Sequence, residues 1–229
     1  MSVATDTYRY ERKFLIEDIA PAEVEAGVRH NPALFYTEYP PRAVNNIYFD
    51  SADLRHYHRN VDGHHERVKA RIRWYGPLFG QVLHPVLEIK RKQGLLGSKA
   101  AARLRPFILD KNISSADIQA LARDRELPDG MKRELDGLEP MMLNRYQRKY
   151  FRSADRHLRL TLDFNLEFYR LHRRHNSFLA RKTTRRMVVM ELKYLDAASE
   201  LVADVTNAFP FRMTRMSKYV FGIEVLQAT

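Results

Sequence analysis

Lys69, Arg71 and Arg73 occupy alternate positions, and the same spacing returns at Lys90 and Lys92. Cations two residues apart on an extended strand share a face and lie about 7 Å from one another. A row of that pitch suits a chain of phosphates. Guanidinium groups hold phosphate oxygens through paired hydrogen bonds, and lysine serves as a point charge. Arg159 and Lys193 fall in segments of the same kind. The opposite faces are apolar, with Val68, Ala70, Ile72 and Trp74 in one segment and Leu158, Leu160, Leu162 and Phe164 in another. Acids share the basic faces at Glu11, Glu88, Asp163, Glu191 and Glu224. Like charges crowded into a cavity repel and resist desolvation, so they persist only where anions compensate them. The acids supply part of that compensation and a polyanionic ligand would supply the rest. A single basic strand face is ordinarily a solvated surface, and the Glu-x-Lys pairs Glu11/Lys13, Glu88/Lys90 and Glu191/Lys193 read equally as weak exposed salt bridges. Repetition of one sign over five or more strands favours a lined interior.

Period-two alternation marks the segments carrying these residues as strands with two unlike faces. They run over residues 8–16, 43–49, 68–75, 86–92, 144–151, 158–164, 187–194 and 217–224. In the first, Arg9, Glu11 and Lys13 share one face; Tyr10, Phe14 and Ile16 share the other, with Arg12 as the exception. Helices are expected over 21–29, 51–59, 114–125, 128–138 and 196–209. Ser114 to Asp117 has the form of a capping box. Leu201, Val202 and Val205 make an apolar stripe, and Pro210 lies beyond the last helix. Gly76-Pro77 and residues 94–97 read as turns. About eight strands in hairpin-like succession with several short helices give an α+β fold, built on an antiparallel sheet or barrel. A single domain over residues 1–229 accommodates them. If the sheet closes, its apolar face packs on helices and its basic face lines a lumen.

Composition narrows the partners. Lys and Arg number 39 against 28 acids, a formal charge of +11, which implies nucleic acid, acidic lipid or a phosphate-rich small molecule. Nucleic acid is not expected, because exposed aromatic and basic residues do not interleave as in a stacking platform. The chain has no cysteine, which excludes disulfides, thiolate zinc sites and thiol catalysis and is compatible with a cytoplasmic location. Residues 1–9 lack an apolar signal core, and no stretch nears the roughly 18 consecutive apolar residues of a membrane span. His56, His58 and His64-His65-Glu66 have metal-binding side chains, but they fall on a short helix and a turn and read as structural or surface groups. Trp74 reads as core packing, and the basic runs 170–174 and 181–186 as solvated loop.

Taken in order, these segments resemble the VTC domain, the catalytic module of the vacuolar transporter chaperone complex. That domain belongs to the triphosphate tunnel metalloenzyme superfamily, alongside the CYTH proteins. The resemblance rests on Tyr10-Glu-Arg-Lys-Phe-Leu-Ile16, Asn46-Ile-Tyr-Phe-Asp-Ser51, Lys69-Ala-Arg-Ile-Arg-Trp-Tyr-Gly76 and Leu87-Glu-Ile-Lys-Arg-Lys92. It continues through Tyr146-Gln-Arg-Lys-Tyr-Phe151, Leu158-Arg-Leu-Thr-Leu-Asp163, Met190-Glu-Leu-Lys193 and Ser217-Lys-Tyr219. The resemblance implies an eight-stranded antiparallel β-barrel tunnel with short flanking helices. Its walls would hold ATP or inorganic polyphosphate with the help of Mn²⁺ or Mg²⁺. The reaction it implies is transfer of the γ-phosphate of ATP onto a polyphosphate chain. Carried over by motif, the phosphate binders are Lys13, Arg71, Arg73, Lys90, Arg148, Arg159 and Lys218, with Lys69, Lys193 and Arg215 as additions. Lys99 falls near a further basic position in a loop that aligns poorly. Arg71, Arg73, Arg148 and Arg159 would form the catalytic clamp, and Glu191 matches the metal-binding glutamate.

CYTH proteins typically open on Glu-x-Glu-x-Lys, whereas Arg9 stands here at the first Glu position. One metal-holding carboxylate is thereby lost, which argues against a CYTH-type triphosphatase or cyclase and agrees with the VTC type. The SPX sensor domain and membrane spans of the eukaryotic complex are lacking, so coupling to transport calls for a separate membrane-protein partner. A triphosphatase releasing free phosphate and a non-catalytic polyphosphate-binding module are the rival readings.

Overall fold

The computed structural model describes residues 10–94, 96–124, 126–172, 176, 178–179, 181–195 and 199–228. Its strands are β1 (Tyr10–Glu17), β2 (Tyr36–Asp50), β3 (Glu66–Tyr75), β4 (Gly80–Val82), β5 (Val86–Gln93), β6 (Leu96–Arg103), β7 (Phe107–Leu109), β8 (Glu139–Arg152), β9 (Arg159–Arg170) and β10 (Arg181–Tyr194). The helices are α1 (Pro21–Arg29), α2 (Arg55–Val61), α3 (Ser115–Ala122), α4 (Asp129–Leu135), α5 (Ser199–Asn207) and α6 (Lys218–Gln227). No described helix is long and apolar enough to cross a membrane.

Eight strands make one sheet in the order β1-β10-β9-β8-β2-β3-β5-β6, and every pairing is antiparallel. The closed barrel is not formed. β1 and β6 stand at the two edges, and no ladder joins them among the described residues. β6 reads Leu-Gly-Ser-Lys-Ala-Ala-Ala-Arg, and its small side chains offer little surface for pairing a further strand. The sheet is instead curled. Register shifts in the β2/β8, β8/β9 and β9/β10 pairs sharpen its twist. The two halves approach closely enough that Lys90 of β5 reaches Glu11 of β1 at 3.8 Å.

Apolar residues form three groups. On the convex side, Phe14, Leu160, Leu162, Met190 and Leu192 pack against Val24 and Val28 of α1 and Val202 and Val205 of α5. Arg12, the cation on that otherwise apolar face, donates to Thr206 Oγ1 at 2.8 Å and so ties β1 to α5. Farther round, Ile47, Ile72, Leu87 and Ile89 pack on Ile118 and Leu121 of α3 and Met131 and Leu135 of α4. Trp74 belongs here, 2% exposed, with its ring nitrogen donating to the Pro77 carbonyl. The capping box of α3 is present, Ser114 accepting from the Asp117 amide and Asp117 from the Ser114 amide.

The third group lies inside the curl and corrects an expectation. Residues 217–224 form the start of α6 and not a strand. Ser217 caps it by accepting from the Val220 amide, and Tyr219, Gly222, Ile223 and Leu226 are buried at helical spacing. They pack on Tyr48, Met142, Tyr146, Leu166, Phe168 and Val189, all from the concave face. Glu224 therefore stays exposed on the helix and leaves the basic cluster. Gly222 permits the close approach, since a Cβ there would lie 2.3 Å from Met142 Sδ and 2.5 Å from a Phe168 ring carbon. Gly222→Ala is expected to lower stability by about 1–3 kcal/mol through overpacking, despite alanine's better helix propensity. Thermal unfolding would show this as a melting point several degrees lower.

Smaller departures have local causes. The 94–97 turn is shorter than expected, since Leu96 already opens β6. The 181–186 run extends β10 by pairing with β9 and is not loop, whereas residues 173–174 of the other basic run lie outside the described residues. α2 begins four residues late because Asp50 accepts from the amides of Ser51, His56 and Tyr57 and holds the preceding turn in place. Residues 196–198 of the expected last helix lie outside the described residues, as do Arg9 and the side chain of Leu201.

Candidate polyanion-binding site

Alternation on β8, β9 and β10 delivers Arg148, Asp163 and Glu191 to the concave face, where the first residue of α6, Lys218, meets them. Arg148 forks onto Asp163 with Nε and Nη2 at 2.5 and 2.6 Å. Lys218 Nζ lies 2.6 Å from Asp163 and donates to Glu191 at 3.2 Å. It also sits 5.2 Å above the Tyr146 ring. All four groups are buried. Burial alone would raise the Asp163 and Glu191 pKa values. Arg148 and Lys218 hold the first below the usual carboxylate range, and Lys218, Lys13, Lys193 and Arg148 hold the second far below it. Lys218 is likewise pushed above its ordinary value, the pull of Asp163 and Glu191 exceeding the cost of burial.

A second wall comes from β3, β5 and β6. Arg71 donates to Glu88 at 2.8 Å and to the Tyr48 hydroxyl at 3.2 Å. Arg73 donates to Asn46 Oδ1 at 2.9 Å, and Lys99 reaches Glu88 at 2.9 Å. Burial works against the Glu88 charge, but Arg71, Arg73 and Lys99 outweigh it and bring its pKa to about 2. Asn46 is itself fixed by donating to Asn144 across the β2/β8 pair.

The third wall holds Lys13, 3.6 Å from Glu11 and 3.8 Å from Glu191, and Lys193, 3.7 Å from Glu191. Between this wall and the second lies Lys69, whose nearest partner is a neutral hydroxyl, Ser217 Oγ at 2.8 Å. Desolvation, with Lys13, Lys90 and Arg71 nearby, brings its pKa down to about 7. The N-terminus of α6 points into the same space and adds its positive dipole. In this connected cluster nine cations (Lys13, Lys69, Arg71, Arg73, Lys90, Lys99, Arg148, Lys193, Lys218) face four carboxylates (Glu11, Glu88, Asp163, Glu191).

Of the residues singled out in the sequence, Lys13, Lys69, Arg71, Arg73, Lys90, Arg148, Glu191, Lys193 and Lys218 converge. Two do not. Arg159 sits exposed at the start of β9, opposite Lys193 in register, and Arg215 is exposed ahead of α6. Neither side chain has a partner among the described residues. Lys99, placed in a poorly aligned loop, is a full member. Tyr48, Tyr146 and Asn46 were missed; strand parity alone, which puts them level with the cations, could have flagged them.

Among the described residues no three His, Asp or Glu side chains gather as metal ligands. His56 is buried with both ring nitrogens unpartnered, and burial lowers its pKa. Asp163 is fully taken up by Arg148 and Lys218. Glu191 is the looser carboxylate, its cation contacts running from 3.2 to 3.8 Å. One such carboxylate does not make a resident metal site, but it fits a hard cation arriving with phosphate oxygens, as Mg²⁺ commonly does. A cleft of about 450 Å³ lined by Arg105, Phe107, Asp110 and Leu121 lies at β7 and α3, outside this cluster.

A curled antiparallel sheet whose concave face gathers strand-borne lysines and arginines in excess of their counter-charges defines an anion-holding class of protein. Within it, this chain belongs to the VTC domain family, which matches residues 8–227. The fold is shared with a Vibrio parahaemolyticus protein described as a candidate adenylate cyclase, at a TM-score of 0.51 and 11% identity over 96% of this chain and 98% of that one. A Pyrococcus horikoshii protein aligns over the same shares at a TM-score of 0.49 and 14% identity. No curated protein matches the chain.

Proposed function

We propose that the concave face binds ATP and inorganic polyphosphate and transfers the γ-phosphate of ATP to the end of the polyphosphate chain. The observation that carries this reading is the unbalanced charge of the cluster, above all Lys69, a desolvated ammonium with no carboxylate partner among the described residues. Family membership supports a phosphate-handling role. In this reading a terminal phosphate oxygen of the chain attacks Pγ, the bond from Pγ to the bridging oxygen breaks, and ADP leaves. The attacking oxygen is already deprotonated, so no strong general base is needed, and catalysis rests on positioning and charge neutralisation. Arg71 and Arg73 clamp the β- and γ-phosphates. Lys13, Lys69 and Lys218 neutralise them, and Arg148 is held in place by Asp163. Lys90 and Lys193 receive the chain, with Arg159 and Arg215 further out. Mn²⁺ or Mg²⁺ would be held by Glu191 and would screen phosphate charge when bound. An ATP-consuming reaction calls for the cytoplasmic compartment, and delivery across a membrane would need a partner protein.

One observation favours a second reading. α6 occupies part of the concavity, which leaves less room for a threading chain and suits a short substrate. A triphosphatase would then deliver the γ-phosphate to water. Incubation with γ-labelled ATP, Mn²⁺ and a short polyphosphate primer separates the two. A ladder of lengthening chains is expected. Free phosphate alone would replace the polymerase by the triphosphatase, and binding without turnover would leave a binding module.

Lys69 supplies a pH test. In the empty protein it loses its proton near pH 7, and a bound polyanion restores the proton. Calorimetry at pH 8 in buffers of different ionisation enthalpy is expected to show uptake approaching one proton per tripolyphosphate, and little uptake at pH 6. No uptake at pH 8 would remove Lys69 from the site. For stability the sign is opposite to that of a paired lysine. The unfolded chain keeps this proton to about pH 10.4. The lysine therefore destabilises the empty fold most below pH 7, and the penalty fades as pH rises between the two values.

A further inference from the structure

Two of the strands that carry arginines of the charged cluster continue, two residues on, into tyrosines. Arg73 is followed by Tyr75 on β3, and Arg148 by Tyr150 on β8. β2 lies between those strands and contributes Arg42, in register with Arg148, and Tyr39, in register with Tyr150. The Arg42 guanidinium stands 5.5 Å from the Tyr39 ring, 5.6 Å from that of Tyr150 and 5.8 Å from that of Tyr75. Tyr39 and Tyr150 meet edge to face at 5.8 Å. Tyr39 is 46% exposed and Tyr75 50% exposed, and Arg42 has no hydrogen-bond or ion-pair partner among the described residues. Arg148 links this rim to the charged cluster, its guanidinium lying 5.3 Å from the Tyr146 ring on one side and 6.0 Å from that of Tyr150 on the other.

The arrangement is aromatic and cationic, carries no carboxylate, and adjoins the arginines of the cluster. We infer that Tyr75, Tyr150 and Tyr39, with Arg42, form a stacking platform for the base of a nucleoside triphosphate whose phosphates lie on Arg73 and Arg71. This deepens the proposed function and rests on it. Alternate strand positions are about 7 Å apart, so a base on the tyrosines leaves its phosphate tail level with the arginines. Aromatic rings and guanidinium planes both stack on bases without reading base edges, so ATP and GTP are accepted alike. The four residues come from three segments far apart in the chain, so their convergence shows only once the strands are paired.

The test compares ATP with inorganic tripolyphosphate, which presents the same phosphates without a base, by calorimetric titration of the full chain. The unaltered protein is expected to bind ATP more tightly. Tyr75→Leu, at an exposed position, is expected to weaken ATP binding roughly 10-fold and leave tripolyphosphate unchanged. Tyr150→Leu is expected to do the same, with Tyr150→Phe retaining ATP affinity because the ring and not the hydroxyl does the stacking. Equal affinity for ATP and tripolyphosphate in the unaltered protein, or a Tyr75→Leu variant with unchanged ATP affinity, would overturn the platform and leave the phosphate site standing. Failure of both ligands to bind would overturn the phosphate site and the platform with it.

Discussion

Arg71→Ala is expected to weaken tripolyphosphate binding by about 10- to 100-fold, the loss that goes with removing hydrogen bonds to a charged group, while the protein stays folded. Both halves of that expectation come from the partners of Arg71. Its guanidinium donates to Glu88 and to the Tyr48 hydroxyl, and part of its surface remains open to the concavity. When it is removed, Glu88 keeps Lys99 at 2.9 Å and Arg73 at 3.6 Å, so no buried carboxylate is orphaned. Melting point and circular dichroism should therefore change little while affinity collapses. Arg71→Lys keeps the charge but not the fork and should recover only part of the loss. Affinity unchanged in Arg71→Ala would remove the β3 row from the binding site and with it the proposed clamp.

The part of this site that could be read in the sequence was the part set by period two. Lys69, Arg71 and Arg73 alternate with Val68, Ala70, Ile72 and Trp74, and a pleated strand leaves no choice about which set shares a face. The same rule placed Asp163, Glu191 and Lys193. What it does not encode is the third dimension. Ser217 to Glu224 tolerates either period over so short a run, so its sequence alone also suits a strand; the hydroxyl cap at Ser217 and the close approach of Gly222 to Met142 and Phe168 decide for helix. That helix is what brings Lys218 to Asp163. Closure of the sheet was equally out of reach, since it depends on whether β6, with its alanines, can pair with β1. Arg159 has the correct parity but sits at the end of its strand, where the sheet no longer encloses it. Parity assigns a face, and depth along the strand decides whether that face is buried.

Asp163→Asn is expected to be the most damaging single change to the fold. The side chain is fully buried and carries three short contacts, two from Arg148 and one from Lys218. Removing its charge leaves both cations to Glu191, already shared with Lys13 and Lys193, and breaking a buried pair in this way typically destabilises by about 3–5 kcal/mol. For a chain of this length that corresponds to a melting point lower by about 10 °C. The pH profile should change with it. Asp163 has a depressed pKa, so its contribution is present above the ordinary carboxylate value near 3.8 and drains away as pH falls through the lower folded value. The asparagine variant lacks that acid branch. If tripolyphosphate compensates the same cations, it should bind Asp163→Asn more tightly and, at equal ligand concentration, stabilise it more than the unaltered protein, since binding to the folded state adds stability that grows with the logarithm of affinity. A ligand-induced rise in melting point that is equal or smaller in the variant would mean that Asp163 and the phosphates neutralise different groups. Arg148 and Lys218 would then be structural, and the binding site would be confined to the walls formed by β1, β3, β5, β6 and β10.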